Sequence, residues 1–386
     1  MPSLFQELEL APMPAHKKRP RQSGAAEAES RYSKLKFDLD FRTPYNDNWF
    51  EVDTSLSNKE QRKINFVDLF AGAGGMSQGF REAGYRKIFS VEIDPDASKT
   101  LRRNFPEAKH FEGPIETLTS ENIASLKGKA KIHVLAGGPP CQGFSVAGLR
   151  KPDDPRNKLF REYIRVLTEL KPDYFVMENV PGILTMEDGK VLREILKQFT
   201  EAGYPNTSVR ILEAAQFGVP QLRTRAIFVG NRLGRMNPYP KPILQKGSYV
   251  PIERAIGDLA TRALDPAINH HGTRHSKEMV ARLAKVPPGG SLYESFRDAW
   301  KRQYRGVPCM TIKENHGGVH IHYELNRVLT AREMARLQTF PDSFFFEGTF
   351  KRAYWQIGNA VPCLFARHIA KAIALAATNP RLQVSR

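Results

Sequence analysis

The chain has 386 residues, of which 41% are hydrophobic and 26% charged, enough for a sizeable core and for two domains. Its formal net charge of +17 favours polyanionic partners, nucleic acid before an anionic membrane. Three cysteines, Cys141, Cys309 and Cys363, cannot form a disulfide framework and lack metal-ligand pairing, which argues against a secreted disulfide scaffold.

Residues 1–60 are polar and charged without sustained periodicity, and predict a basic, mobile N-terminal extension. Lys17-Lys18-Arg19-Pro20-Arg21 reads as a solvated tail before it reads as a nuclear signal. Tyr45, Trp49 and Phe50 hint that the end of the extension docks on the body. No secretory apolar segment or uninterrupted membrane-length run stands out, so a reducing, cytoplasmic setting is expected, with no membrane partner.

Strand and helix alternate over 61–230, the expected catalytic domain. Ile64 to Phe70 predicts a strand that feeds a glycine-rich turn, Ala71-Gly72-Ala73-Gly74-Gly75, and then a helix through Ala83. That unit opens a nucleotide-binding α/β sheet. Phe89 to Asp94 is a second strand with an acidic tip, where Glu92 is placed to grip ribose hydroxyls. The glycines do not spell G-x-G-x-x-G and no Walker lysine follows, which weakens dinucleotide and nucleoside-triphosphate readings.

Lys131 to Ala136 predicts a buried strand that ends in Gly137-Gly138-Pro139-Pro140-Cys141-Gln142. A thiol on a rigid strand-tip turn suits nucleophilic attack. Gln142 to Lys158 is a basic loop able to close over a phosphate backbone. Leu159 to Leu170 carries a helical apolar stripe. Tyr174 to Met177 is a strand ending in Glu178-Asn179-Val180-Pro181-Gly182, a carboxylate at a cleft-facing tip. Gln221, Arg223 and Arg225 alternate ahead of the strand Ala226–Gly230, which predicts three planar polar groups on one face.

Over 231–325 prolines, glycines, histidines and basic residues interrupt the alternation, as expected of a smaller second domain. His316, His320 and His322 invite a metal reading, but no Cys or carboxylate stands at ligand spacing and no metal is expected. Residues 326–386 return to regular pattern, with a helix capped by Thr330 and Glu333 and a final apolar helix through Leu375. This segment is expected to complete the first domain.

In this order the segments closely resemble the DNA (cytosine-C5) methyltransferase family from about Asn65 to Ala376. Asp68 to Gly75 resembles its cofactor loop, Pro139-Pro140-Cys141-Gln142 its nucleophile motif and Glu178-Asn179-Val180 its acidic motif. Gln221-Leu222-Arg223-Thr224-Arg225 resembles its Q-x-R-x-R. Arg332-Glu333 with Leu337 to Pro341, then Gly358 to Val361, resemble its closing motifs. Each is weak alone; six in register are specific.

The resemblance implies an α/β fold: a Rossmann-like S-adenosylmethionine-dependent methyltransferase sheet with a smaller, irregular target-recognition domain. It implies a methyl-donor pocket lined by Phe70, Gly72, Gly74, Glu92, Ile93, Pro139, Leu159, Asn359 and Val361. Where the family usually places an adenine-contacting Asp, this chain reads Glu112-Gly113-Pro114, so Glu112 or a backbone carbonyl is expected there instead. The implied chemistry begins with the Cys141 thiolate adding to C6 of a flipped cytosine. Glu178 holds or shares a proton at N3. Arg225 steadies O2, while Arg223, counted in the catalytic set, and Gln221 position it.

Gln142, Ser145, Gln221, Thr311, Lys313 and Asn315 are the expected DNA contacts, with Met310-Thr311-Ile312 resembling the segment that family members keep near the flipped nucleotide. A solitary chain of this kind most resembles prokaryotic members of restriction-modification systems, expected to act on duplex DNA as a monomer. Three other readings compete. A tRNA cytosine-C5 methyltransferase shares the fold, but its Cys-Phe-Thr tripeptide is absent here. A nicotinamide-dependent oxidoreductase leaves Cys141, Glu178 and Arg225 without a shared purpose. A catalytically dead relative is at odds with an intact nucleophile, acid and arginine.

Overall fold

The computed structural model describes residues 48–55, 64–140, 158–293, 300–314 and 320–378. A seven-stranded sheet organises them, in the order β4-β3-β2-β5-β6-β8-β7. Its strands are β2 (Asn65–Leu69), β3 (Arg86–Glu92), β4 (Lys109–Glu112), β5 (Val134–Gly137), β6 (Tyr174–Asn179), β7 (Asn206–Glu213) and β8 (Thr224–Asn231). β2 to β6 run parallel, and β8 runs against both of its neighbours. Strand order reverses between β2 and β5, so the loops after those two strands open the crevice where ligands of such sheets bind. The expected cofactor turn follows β2, and the Gly138–Pro140 turn follows β5.

The central parallel strands β2, β5 and β6 are buried along nearly their whole length because helices cover both faces. On one face α3 (Ser120–Lys127), α4 (Lys158–Leu170) and α5 (Lys190–Glu201) bury Ile123, Phe160, Tyr163, Val191, Ile195 and Phe199. On the other, α1 (Gly75–Glu82) and the C-terminal α10 (Cys363–Thr378) bury Met76, Phe80, Phe365, Ile369 and Ile373. The end of the chain thus packs on the first helix of the sheet. Gly79 permits this, since a Cβ there would lie 2.2 Å from the Cys363 carbonyl oxygen. Phe350–Ala377 is long and apolar enough by composition to cross a bilayer, which the sequence reading did not anticipate. An 18-residue apolar window within it is 83% buried in the fold, and the stretch is broken at Ala360–Pro362, the marks of core helices.

A third core joins α8 (Ala331–Leu337) and α9 (Phe350–Asn359) to residues from the irregular 231–325 stretch, among them Ile252, Ile256, Cys309 and Ile312. Thr330 and Glu333 form the expected capping box, and Glu333 also pairs with Arg327 at 2.6 Å. Within 231–325, β10 (Lys301–Arg302) and β11 (His320–Ile321) pair over two residues each beside a small cluster of Leu283, Val286 and Ile321. Near the N-terminus, β1 (Trp49–Val52) pairs in parallel with β9 (Asn237–Pro240). Trp49 stacks under Arg210, and the Thr54 hydroxyl meets His368 Nδ1 at 2.7 Å.

Buried histidines make this fold sensitive to acid. His320, His322 and His368 are at most 4% exposed, and burial pulls them down to about 4, about 4 and about 3. Released from the fold, each takes a proton near pH 6.5. Between that value and about 4 the unfolded chain therefore binds more protons, and stability falls as pH falls, by about 1.4 kcal/mol per unit per histidine. Urea midpoints should decline from pH 6.5 towards 4, less steeply in His368→Gln. A midpoint that stays flat over that range contradicts the assignment.

Candidate active site

Three strand tips meet at the crevice. β5 ends at Gly137, level with Met177 of β6, so Gly138 lies beside Glu178. A Cβ at Gly138 would come 3.2 Å from Glu178 Oε2, tighter than ordinary contact. The turn is then tied down from β6: the buried Asn179 donates through Nδ2 to the Pro139 carbonyl oxygen at 3.0 Å. Asn179 Oδ1 accepts in turn from the Val180 N–H at 2.9 Å. The Glu-Asn pair thus has two jobs, Asn fixing the approach to Cys141 and Glu facing the crevice. Cys141 itself lies outside the described residues, as do Gln142 and Ser145.

Opposite β6, β8 starts at Thr224, and antiparallel register sets Glu178 against Ile227 and Asn179 against Ala226. Arg225 follows on this register, and its Nε meets Glu178 Oε1 at 2.6 Å, each side chain 13% exposed. A half-dry carboxylate and guanidinium side by side can bind the edge of a planar ring that presents both donors and acceptors. Arg225 also donates to the Thr224 carbonyl oxygen at 2.8 Å, which limits its swing.

Arg223 and Gln221 precede β8, and their side chains turn inward rather than standing on one open face with Arg225. Arg223 is 4% exposed and donates to the Ile312 carbonyl oxygen at 2.8 Å. Burial, with the Arg225 charge beside it, disfavours its protonated form, and Glu178 and Glu213 offset this. Arg223 therefore ties the chain at Ile312 to the start of β8. Gln221, expected at the DNA, is fully buried. Its Nε2 donates to the Leu337 carbonyl oxygen at 3.0 Å and to Gln338 Oε1 at 2.8 Å, and its Oε1 accepts from the Ile312 N–H at 2.9 Å. Its hydrogen-bonding groups are all engaged within the protein, so it holds the segment that carries the arginines.

Residues 309–314 run along this segment. Cys309 exchanges backbone hydrogen bonds with Pro220 and Leu222, and Thr311 donates its hydroxyl to the Leu222 carbonyl oxygen at 2.6 Å. Thr311 is thereby held at the residue next to Arg223, and Lys313 is exposed beyond it. Asn315 lies outside the described residues.

The cofactor candidates gather at the tips of β2 and β3. Phe70 and Gly72 take positive φ angles of 55° and 53°, which fold the loop back over Glu92. Glu92 Oε2 accepts from the Gly72 N–H at 2.7 Å and Oε1 from the Asp94 N–H at 2.8 Å. Desolvation pushes this buried carboxyl up, while the Gly72 N–H opposes the shift. Next to it Ile93 is 62% exposed, an apolar face without cover. Gly74, at φ 93°, has no room for a Cβ, which would meet Phe105 at 2.8 Å. Gly75 lets the Val361 carbonyl approach to where a Cβ would sit at 2.2 Å.

Pro139 is buried at the neighbouring turn, Leu159 is half-buried at the start of α4, and Asn359 is exposed at the end of α9. Glu112 pairs with Arg102 at 2.7 Å on the surface, and the Pro114 carbonyl oxygen accepts from Thr117. Both therefore already have protein partners. Among the described residues no group of three His, Cys, Asp or Glu is placed to hold a metal ion, and His320 and His322 are buried.

The sequence reading missed Glu213. Its carboxylate accepts from the Arg223 N–H at 2.7 Å and from the Thr224 hydroxyl at 2.7 Å, clamping the start of β8. Only the tertiary pairing of β7 with β8 reveals it.

Compared with known proteins, residues 64–375 match the sequence profile of the C-5 cytosine-specific DNA methylase family. A type II methyltransferase of Haemophilus parahaemolyticus, M1.HphI, is 40% identical over 331 residues, covering 82% of this chain and 88% of that protein. M.DdeI of Desulfomicrobium norvegicum, also a type II methyltransferase, is 34% identical over 81% of this chain and 88% of its own length. Among solved structures, a candidate DNA modification methyltransferase encoded within an Escherichia coli prophage superposes with a TM-score of 0.66 at 28% identity. The match covers 81% of this chain and 99% of that one. The DNMT2 of Spodoptera frugiperda shares the fold at a TM-score of 0.59 and 21% identity, with 81% of this chain and 100% of that one covered.

Proposed function

The chain belongs to the C-5 cytosine-specific DNA methylase family, and from that premise we propose that it methylates C5 of cytosine within a short duplex DNA sequence as the modification half of a type II restriction-modification system. The Glu178–Arg225 pair at 2.6 Å beside the Gly138–Pro140 turn carries the reading. It sets an acid and a cation on one side of a crevice whose other side leads to a cysteine. Methyl-donor binding falls to the β2 and β3 tips. A nearly buried carboxylate at Glu92 retains acceptor lone pairs for ribose hydroxyls, and Ile93 offers an apolar face to a flat base. S-adenosylmethionine fits those residues and supplies an electrophilic methyl group on a sulfonium.

Cytosine C5 is a poor nucleophile and is out of reach in a stacked duplex, so the base must swing into the crevice. There the Cys141 thiolate forms a bond to C6 and the ring's electron pair moves towards N3. Glu178 meets that charge with a proton at N3 and accepts from the exocyclic amine. Arg225 holds O2. The enamine so formed is nucleophilic at C5. After methylation, water takes the C5 proton, the C5–H electron pair re-forms the C5–C6 double bond and the Cys141 thiolate leaves, which restores the aromatic ring. Thr311 and Lys313 are the described residues we assign to contacts with the flanking DNA.

Methylation by this route also protects the host's sites from a partner endonuclease. Bisulfite sequencing of DNA from cells expressing the protein tests the whole reading, and should show 5-methylcytosine at one fixed position of one short motif. Parallel assays on duplex DNA and on tRNA separate the rival. Methyl transfer confined to tRNA overturns the choice of substrate.

A further inference from the structure

We propose that Glu314 is a positioning residue that couples the methyl-donor cleft to the grip on DNA, through its hydrogen bond with Asn359. The inference rests on the reading of the site given above and adds to it a linkage between two ligands.

The segment 309–314 is held from two sides. On one, Cys309 and Thr311 bind the backbone around Leu222, and Ile312 is held by Gln221 and Arg223. Arg223 stands two residues from Arg225, which meets Glu178. On the other side the backbone of Lys313 and Glu314 passes directly over Gly358. A Cβ there would lie 2.3 Å from the Glu314 nitrogen and 2.4 Å from its Cα, so only glycine permits the approach. Glu314 Oε2 then accepts from Asn359 Nδ2 at 2.9 Å. Two residues on, the Val361 carbonyl rests on Gly75, at the start of the helix that follows the cofactor turn.

Close backbone packing thus joins the cofactor turn to α9 and residues 309–312 to the catalytic arginine. At the junction, the Glu314–Asn359 bond is the side-chain link, and both residues are exposed. An exposed pair of flexible side chains is ordered only in part. A ligand that fixes Asn359 at the cofactor rim presents its amide to Glu314 in one orientation and so favours one placement of residues 311–314. By linkage, DNA that holds 311–314 in that placement tightens the methyl-donor site by the same factor.

The test uses the full chain and a duplex containing the motif mapped by bisulfite sequencing. DNA affinity is measured with and without S-adenosylhomocysteine at one salt concentration, for wild type, Glu314→Gln and Glu314→Ala. The ratio of the two affinities is the readout, because removing an acidic charge near DNA alters absolute affinity by itself. Wild type should show a ratio on the order of 10. Glu314→Gln should keep it, since the amide oxygen accepts the same bond. Glu314→Ala should bring it below about twofold. A ratio near 1 in wild type, equal ratios in all three proteins, or equal loss in both variants overturns the inference while wild-type methylation leaves the functional reading standing. A wild type that methylates no DNA overturns both.

Discussion

Glu178→Gln should lower the rate of methyl transfer by about 10²–10⁴ while leaving methyl-donor affinity within about threefold. Glutamine keeps the size of the side chain and can still hydrogen-bond to a pyrimidine edge, but it cannot give up a proton to N3. Without that proton the negative charge created by attack at C6 stays on the ring, and Arg225 at O2 is left to balance it alone. The substitution also removes the negative charge that balances Arg225, whose Nε lies 2.6 Å from Glu178 Oε1 in a place where both side chains are 13% exposed. An unpaired charge that is nearly buried costs stability, on the order of 3–5 kcal/mol in full burial and less here. Denaturation curves must therefore accompany the kinetics. Single-turnover transfer at saturating methyl donor and DNA isolates the chemical step. A folded Glu178→Gln protein whose single-turnover rate lies within about threefold of wild type would remove the carboxyl from the mechanism.

What the sequence revealed is what its local chemistry encodes. β2, the glycine turn and α1 were legible because alternating apolar residues and clustered glycines act over a few positions. The structure puts Gly72 and Gly74 at positive φ, as such a turn demands. The capping box at Thr330 and Glu333 was legible for the same reason. Alternation ahead of β8 puts Gln221 on one face with Arg223 and Arg225, yet Gln221 is fully buried. Its true partners, Ile312 and Gln338, stand 91 and 117 residues further along, and no local pattern announces them. Separation along the chain also hid the parallel pairing of Trp49–Val52 with Asn237–Pro240 and the bond between Asn359 and Glu314, 45 residues apart. The clamp at Glu213 reaches only 10 and 11 residues but depends on the pairing of β7 with β8. Residue types suited to chemistry were visible in the chain. Which of them face the crevice and which brace it was decided by packing.

Cys141→Ser should abolish turnover, by a factor on the order of 10⁴ or more, with DNA and methyl-donor affinities close to those of wild type. A serine hydroxyl is nearly the same size as a thiol but is scarcely ionised near neutral pH, so attack on C6 fails while the turn keeps its shape. The other two sulfurs cannot take over. Cys309 and Cys363 are 1% and 0% exposed, and burial pushes both thiols far above their ordinary range, so neither supplies a thiolate. A duplex with 5-fluorocytosine at the target position makes the assignment direct. Thiolate addition at C6 and methylation at C5 proceed on that base, but fluorine cannot leave as a cation as hydrogen leaves as a proton. Expulsion of the sulfur is therefore blocked, and the protein stays bonded to DNA. In the presence of the methyl donor, wild type should form one covalent complex and Cys141→Ser none, with peptide mapping placing the bond on Cys141. A cross-link that survives in Cys141→Ser, or that maps to Cys309 or Cys363, would mean that those buried thiols become exposed when DNA binds. The geometry around Glu178 and Arg225 would then have to be rebuilt about a different nucleophile.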